Sequence, residues 1–385
     1  MTQDTARAQE IAGRVTDFIR DQIIPLEGDA RIHAHGPTNA FVAELREMAR
    51  AAGVLTPHVL PGGAHLSHRE TAIVLQAAGY SPLGMVAVNV AAPDEGNMYM
   101  LHKVATPAQQ ARFLAPVLAG ARSAFFMTEP AALQGAGSDP SMLLTTATPD
   151  GEEWIINGEK AFITGAEGAS TGIVMAKTPG GATMFLVELP HPAVRLKRQL
   201  DTLDGIMPGG HWEVSLENLR LPAANVLGEV GAGMSYAQVR LAPARLTHCS
   251  RWLGACRRAH EEAVAYAARR QAFGKALIDH EGVGFQLADN LIEMKQCELM
   301  IGWVAGVLDS GSLAISESSM AKAAIGEALF RIADRCVQVM GGTGLTSDTI
   351  VQQVFREVRA FRIYDGPTEV HKWALAKKIK REAPR

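Results

Sequence analysis

The chain reads as an α+β protein in three segments: an N-terminal α-helical domain at 1–119, a middle β domain at 120–228 and a C-terminal α-helical bundle at 229–385. Three observations predict this. Apolar residues recur at three-to-four spacing in the first segment, and short apolar runs divided by glycine and proline fill the second. Long helical-period stretches with short connectors fill the third. With 385 residues, 47% of them hydrophobic and 20% charged, the chain has enough apolar material for a buried core and is too apolar for disorder.

Within the first segment Phe18, Ile23 and Ile24 form one apolar stripe, and Phe41, Leu45, Met48 and Ala49 form another. Residues 57–63 hold two prolines and two glycines and interrupt the helical run. Thr106-Pro-Ala-Gln109 has the form of a helix start, with a threonine cap, proline in the first position and glutamine three residues on. The helix it opens carries Phe113, Leu114, Val117 and Leu118. In the second segment Trp154-Ile-Ile-Asn-Gly158 sets apolar residues before an Asn-Gly pair, which predicts a hairpin turn there. Residues 172–176, 183–187 and 211–216 predict further strands. In the third, residues 235–270, 281–308 and 313–340 are each long enough for about seven helical turns or more. Gly341-Gly-Thr-Gly344, a shorter helix near 348–357 and a last helix ending in Lys377-Lys-Ile-Lys-Arg381 complete the chain.

Charge and cysteine usage narrow the function. The 37 basic and 40 acidic residues give a net charge of −3, without the basic excess of a nucleic-acid binder. Cys249, Cys256, Cys297 and Cys336 never form a CxxC pair, so free thiols in a reducing compartment are expected. The start of the chain carries acid early and no apolar signal core, and residues 299–308, the most apolar run, are about half a membrane crossing long. The expectation is a cytoplasmic protein with no membrane insertion and no nucleic-acid partner.

Several motifs are absent or have a plainer reading. No GxGxxG follows a predicted strand and no GxxxxGK[ST] occurs, which disfavours Rossmann and P-loop chemistry. Gly168-Ala-Ser-Thr-Gly172 matches the GxSxG of serine hydrolases by letter. That motif needs a helix after the serine, and the run after Ser170 predicts a strand, so a small-residue loop is the better reading. His248, Cys256 and His260 lie whole turns apart on a predicted helix. A stable zinc site takes three or four supported ligands, so they read as helix-face residues and no metal is expected. The basic run at 372–381 suits the negative end of a helix dipole as well as it suits phosphate.

Three stretches carry more. Met127-Thr-Glu-Pro130 followed by Gly135-Ala-Gly-Ser-Asp139 offers backbone N–H groups and small side chains to a polar ligand. Arg270-Gln-Ala-Phe-Gly274 puts a cation and an aromatic ring at the end of a long helix. Tyr364-Asp-Gly-Pro-Thr-Glu369 sets one carboxylate beside a glycine in a loop between helices. Taken singly these are also what a mobile loop, a helix terminus and an Asp-Gly turn look like.

In this order and spacing the stretches resemble the acyl-CoA dehydrogenase family over essentially the whole chain. The first is similar to its TEPGAGSD block, and residues 154–164 resemble INGxKxWIT. Residues 270–275 resemble RxxFGK, Gln338-Val-Met-Gly-Gly342 resembles QxxGG, and residues 364–369 stand where the family has YEGT. The resemblance implies the acyl-CoA dehydrogenase fold and FAD-dependent α,β-dehydrogenation of an acyl-CoA thioester, with electrons passed to an electron-transfer flavoprotein or similar acceptor. It makes Asp365 the base that takes the α proton, with the N–H of that acid helping to hold the thioester oxygen. Met127, Thr128, Phe162 and Thr164 match positions lining the flavin ring. Arg270, Phe273, Gln338, Gly341 and Gly342 match positions holding the pyrophosphate and adenosine, and Pro367 and Glu369 match further FAD contacts. Ser138, Arg245 and Gly366 match positions near the acyl-CoA. Some FAD contacts in the family come from a neighbouring subunit, so a homo-oligomer, dimer or tetramer, is implied.

The sequence departs from the family pattern in four places. Aspartate replaces the usual glutamate base at 365, and Phe162 replaces a flavin-side tryptophan. Ala131-Ala-Leu-Gln134 forms a short insertion, and His280-Glu281 stands where His-Gln is common. The strings at 365–371 and 91–98 resemble one branch whose members include fusions to kinase-like domains, associated with longer or 4-hydroxylated acyl-CoAs. The alternatives are a relative repurposed as an oxidase or monooxygenase on a pathway-specific thioester, and a non-catalytic thioester-binding protein.

Overall fold

The computed structural model describes residues 3–383 other than Gly62, so Met1, Thr2, Gly62 of the 57–63 loop, Pro384 and Arg385 lie outside the described residues. In chain order the helices are α1 (Gln3–Phe18), α2 (Asn39–Ala51), α3 (His68–Ala78), α4 (Pro82–Ala87), α5 (Asp94–Val104), α6 (Pro107–Gln109) and α7 (Ala115–Leu118). They continue with α8 (Gly233–Arg269), α9 (Glu281–Asp309), α10 (Ile315–Met340), α11 (Ile350–Phe361) and α12 (Thr368–Glu382). The described residues form two compact units, one drawn from 3–27, 57–85 and 242–383 and the other from 28–56 and 86–241. Among the described residues no helix is long and apolar enough to cross a membrane.

The unit made of Gly28–Thr56 and Val86–Leu241 is built on an eight-stranded sheet. Its strands are β1 (Arg122–Phe126), β2 (Thr146–Asp150), β3 (Glu153–Thr164), β4 (Ala169–Thr178), β5 (Gly181–Glu188), β6 (Val194–Leu200), β7 (His211–Pro222) and β8 (Val226–Leu227). Their order is β8-β5-β4-β2-β3-β7-β6, with β1 parallel to β4. Buried residues on alternate positions make two apolar layers. Ile173, Met175, Met184 and Leu186 pack with Met98, Leu101, Phe113 and Val117 of the helical part, while Val174, Phe185, Val187 and Val214 pack with Phe126, Ile156 and Leu216. Ser170, inside β4, donates its hydroxyl to the carbonyl of Arg122, so it sits in a strand and not on a strand-to-helix elbow.

The Thr106 start is a full capping box: Thr106 accepts from the Gln109 N–H, and the Gln109 side chain accepts from the Thr106 N–H. α2 buries Phe41, Leu45 and Ala49 and, on the same face, Arg46. That guanidinium meets Asp94 Oδ2 at 2.9 Å and the Gly120 carbonyl at 3.0 Å. Asp94 Oδ1 accepts both N–H and hydroxyl of Ser123 at 2.7 Å, tying α2 and α5 to the first residues of β1.

One expectation fails here. Asn157-Gly158 is not a turn, because β3 runs straight through it. The hairpin reverses between Asp150 and Glu153, with Gly151 at φ 62°. The β3–β7 register slips between Ile156 and Gly158, and Asn157 Oδ1 accepts the Asn218 N–H at 2.7 Å. A bulge uses the same residues as a turn, and the cross-strand partner decides between them. Gly158 is required for contact: a Cβ there would lie 2.8 Å from the Thr145 Cα.

The other unit is helical, with α1 against α3, α3 against α9, and α10 against α9, α11 and α12. Gly79 at the end of α3 and Gly254 in α8 allow their backbones to touch: a Cβ on Gly254 would sit 2.2 Å from the Gln76 carbonyl oxygen. The four cysteines are buried and free. Burial pushes the Cys249, Cys297 and Cys336 thiols up to about 12. His248, Cys256 and His260 diverge: Cys256 Sγ approaches the Leu329 carbonyl, His260 approaches Asn290, and His248 turns to the loop before α12. α8 stops at Arg269, so Arg270 lies just beyond the helix. Gln271–Ala272 and Lys275–Ala276 then pair as a two-stranded ribbon turned by Phe273 and Gly274, both at positive φ.

Candidate active site

In the sheet-bearing unit, Lys160 and Glu129 organise one group of candidate residues. Glu129 follows β1, Lys160 lies in β3, and their side chains are 1% and 0% exposed. Lys160 Nζ donates to Glu129 Oε1 at 3.0 Å and to the Met127 carbonyl at 3.2 Å. Glu129 also accepts the N–H groups of Ala136, Leu144 and Thr145 at 3.1, 2.7 and 2.8 Å. Burial alone would raise this carboxyl, but the Lys160 ammonium and these N–H donors overcome it and hold it at about 2. The result is a fixed entrance to the glycine-rich loop, on which Ser138 is exposed.

The same ladder brings four other candidates together. The Ala161 N–H donates to the Thr128 carbonyl at 2.9 Å, so Met127 and Thr128 lie beside the end of β3 that carries Phe162 and Thr164. Phe162 stands at a register break, at φ 56° and 58% exposed. A left-handed backbone costs a non-glycine residue about 1–2 kcal/mol, and a ring that is more than half exposed offsets little of it within this chain. Thr164 Oγ1 lies 2.9 Å from His211 Nδ1, whose Nε2 is 3.0 Å from Asp204 Oδ2. The insertion at 131–134 forms one 3₁₀ turn that leaves Leu133 exposed.

In the helical unit, the loop between α11 and α12 holds Asp365, with φ 53° and a side chain 19% exposed. Arg245 Nε donates to the Asp365 carbonyl at 3.0 Å. Lys322, fully buried on α10, donates to the carbonyls of Phe361 at 2.6 Å and Gly366 at 3.1 Å and so spans the loop. Trp252 Nε1 donates to the Tyr364 hydroxyl at 2.6 Å, and Thr368 and Arg362 both bond Glu327. Gly366, at φ 101°, leaves room for the His371 ring, which a Cβ would meet at 2.7 Å. Burial pushes Lys322 down to about 8. Burial, then the positive Arg245 and Lys322, pushes His371 to about 4. Asp365, Arg245 and Gly366 are therefore one cluster, with Pro367 at the N-cap of α12 and Glu369 exposed in its first turn.

The remaining candidates occupy other elements of that unit. Arg270 and Phe273 sit on the ribbon after α8, Phe273 being 96% exposed. Gln338 is exposed in the last turn of α10, and Gly341 and Gly342 open the 3₁₀ segment that follows it. His280 Nε2 meets the Ala272 carbonyl at 3.0 Å and its ring stands edge-on to Phe273 at 6.2 Å. Lys322, His248, His371, Trp252, Glu129 and Lys160 were not singled out as site residues by sequence. The readable signal for Lys322 was a lysine on the buried stripe Ser318, Lys322, Ile325, Leu329. Glu129 and Lys160 lay inside two of the quoted blocks.

Comparison with known proteins places this architecture. Acyl-CoA dehydrogenase N-terminal, middle and C-terminal domains match residues 5–121, 124–219 and 231–380. The Mycobacterium tuberculosis protein named "Probable acyl-CoA dehydrogenase FadE2" is 35% identical over 391 residues, covering 97% of this chain and 95% of that one. Acyl-CoA dehydrogenase family member 11 of Gallus gallus is 33% identical over 96% of this chain, which spans 50% of its length. A glutaryl-CoA dehydrogenase from Mycobacterium smegmatis, solved in complex with FADH2, superposes with TM-score 0.87 at 25% identity, covering 100% of this chain and 96% of that one. The chain belongs to the acyl-CoA dehydrogenase family.

Proposed function

We propose that this protein is an FAD-dependent acyl-CoA dehydrogenase in which Asp365 takes the α proton of an acyl-CoA thioester. The observation that carries the reading is the Asp365 loop, a carboxylate on left-handed backbone whose carbonyls are held by Arg245 and Lys322. Preorganisation of this kind keeps a base within reach of a weakly acidic proton. The Asp365 carboxylate receives the proton, while Arg245 and Gly366 form the substrate side of the same loop; Ser138, on the glycine-rich loop of the sheet-bearing unit, is assigned to the acyl-CoA by the family resemblance alone. The backbone N–H of Asp365 helps to hold the thioester oxygen, where developing charge needs a fixed donor.

The residues present fit FAD. Phe162 offers an exposed ring beside Met127, Thr128 and Thr164. Arg270 and Phe273 are exposed on their ribbon, and a Cβ on Gly341 or Gly342 would meet nothing within 4 Å. Gln338, Pro367 and Glu369 complete the set assigned to the cofactor. Bound FAD supplies the acceptor for the β hydrogen. Phe285, Ile292 and Leu299 form an exposed apolar row on α9, which suits a second copy of the chain. The proposal therefore includes a homo-oligomer, dimer or tetramer, with segments at 1–119, 120–228 and 229–385. Its place is fatty acid metabolism in the cytoplasm, with an electron-transfer flavoprotein or similar acceptor.

Phe162→Gly tests the cofactor assignment. Removing the ring and the left-handed strain should leave the melting temperature unchanged or higher, and should lower the FAD retained after gel filtration. Flavin content equal to wild type, or a wild-type chain that takes up no FAD, would remove the assignment.

A further inference from the structure

Arg245 and Lys322 hold the Asp365 loop by its carbonyl oxygens, which fixes the backbone, while the direction of the carboxylate is a matter of its own torsions and of the groups beside it. A different side chain reaches the carboxylate. His248 Nε2 lies 3.3 Å from Asp365 Oδ2, and the imidazole is 4% exposed. Its ring packs on Tyr364 at 5.0 Å and on Phe361 at 5.7 Å, and Trp252 holds the Tyr364 hydroxyl. The imidazole is therefore itself caged, one turn along α8 from Arg245.

We infer that His248 is a positioning residue for Asp365: its imidazole, at ion-pair distance from Oδ2, biases the direction in which the short carboxylate meets the α proton. The inference rests on Asp365 being the base. The side chain is one methylene shorter than glutamate, so a misdirected carboxylate cannot recover its reach by bending. Misplacement of about 1 Å can cost 10²-fold in rate. The charged and titratable groups around the pair are Arg245 and Cys249 on α8, Lys322 on α10, Tyr364 in the loop and His371 on α12.

The test is imidazole ¹⁵N NMR of the FAD-loaded, full-length protein, with the His248 signal identified by its loss in His248→Gln. A neighbouring carboxylate favours the imidazolium, so the His248 signal should titrate at higher pH in wild type than in Asp365→Asn. Coincident titrations would overturn the inference. On the same samples, exchange of the α proton of octanoyl-CoA into D₂O should fall about 10²-fold in kcat for His248→Ala, with KM little changed. His248→Gln, which keeps an N–H donor, should recover part of it. Exchange lost in Asp365→Asn without any coupling would overturn the role of His248 alone. Coupling with wild-type exchange in Asp365→Asn would overturn Asp365 as the base, and the inference with it.

Discussion

Asp365→Asn is expected to keep FAD at the wild-type ratio and to lose turnover by about 10²–10⁴-fold, the range for removing a positioned general base. The loop gives reason to expect an intact scaffold. Arg245 and Lys322 bond backbone carbonyls, which the substitution leaves in place. Asparagine tolerates left-handed backbone as readily as aspartate, so φ 53° adds no new strain. The loss should therefore be in the α-proton step, with the flavin spectrum and melting temperature close to wild type. Rapid-reaction flavin reduction by an acyl-CoA, set beside flavin-to-protein absorbance ratios, separates the two. Wild-type reduction in the variant would take the base away from Asp365.

Glu129→Gln should strongly destabilise the sheet-bearing unit. It strips the buried Lys160 ammonium of its counter-charge and weakens three N–H bonds that shape the 135–145 segment. Breaking one side of a buried ion pair typically costs about 3–5 kcal/mol. The pH dependence has a definite sign. Glu129 is held at about 2 in the folded protein against 4.5 when free, so its contribution is fully present above about 4.5 and is lost as pH falls through about 2. Wild-type stability should fall across that window, and the Glu129→Gln curve should be flatter there. Denaturant melts at a series of pH values check this, and parallel curves would mean that the carboxylate does not hold the loop.

What the sequence made legible was decided by how local the physics is. Helix periodicity and the Thr106 capping box depend on residues within a turn or two, and both are present as read. Asn157-Gly158 depends on what lies across the sheet, and the Asn218 contact turns an apparent hairpin signal into a bulge. Lys322 and His248 are single letters on helices about 40 residues or more from the loop they meet, and only tertiary contact reveals them. His248 was weighed as a companion of Cys256 on spacing, whereas its side chain turns to Asp365. The flavin-side reading of Phe162 comes only from the family resemblance. Its left-handed φ and exposure add a physical reason why an isolated chain would not favour that conformation.

The most direct test of the central claim is anaerobic titration of the FAD-loaded protein with acyl-CoA thioesters, followed by flavin absorbance. The series should run over short, medium, long, branched and 4-hydroxy or 4-phosphorylated acyl chains, for wild type and Asp365→Asn together. The account predicts bleaching of the wild-type flavin by one class of thioester and none on the same time scale in the variant. Flavin that stays oxidised with every thioester, or bleaches equally in both proteins, would contradict it.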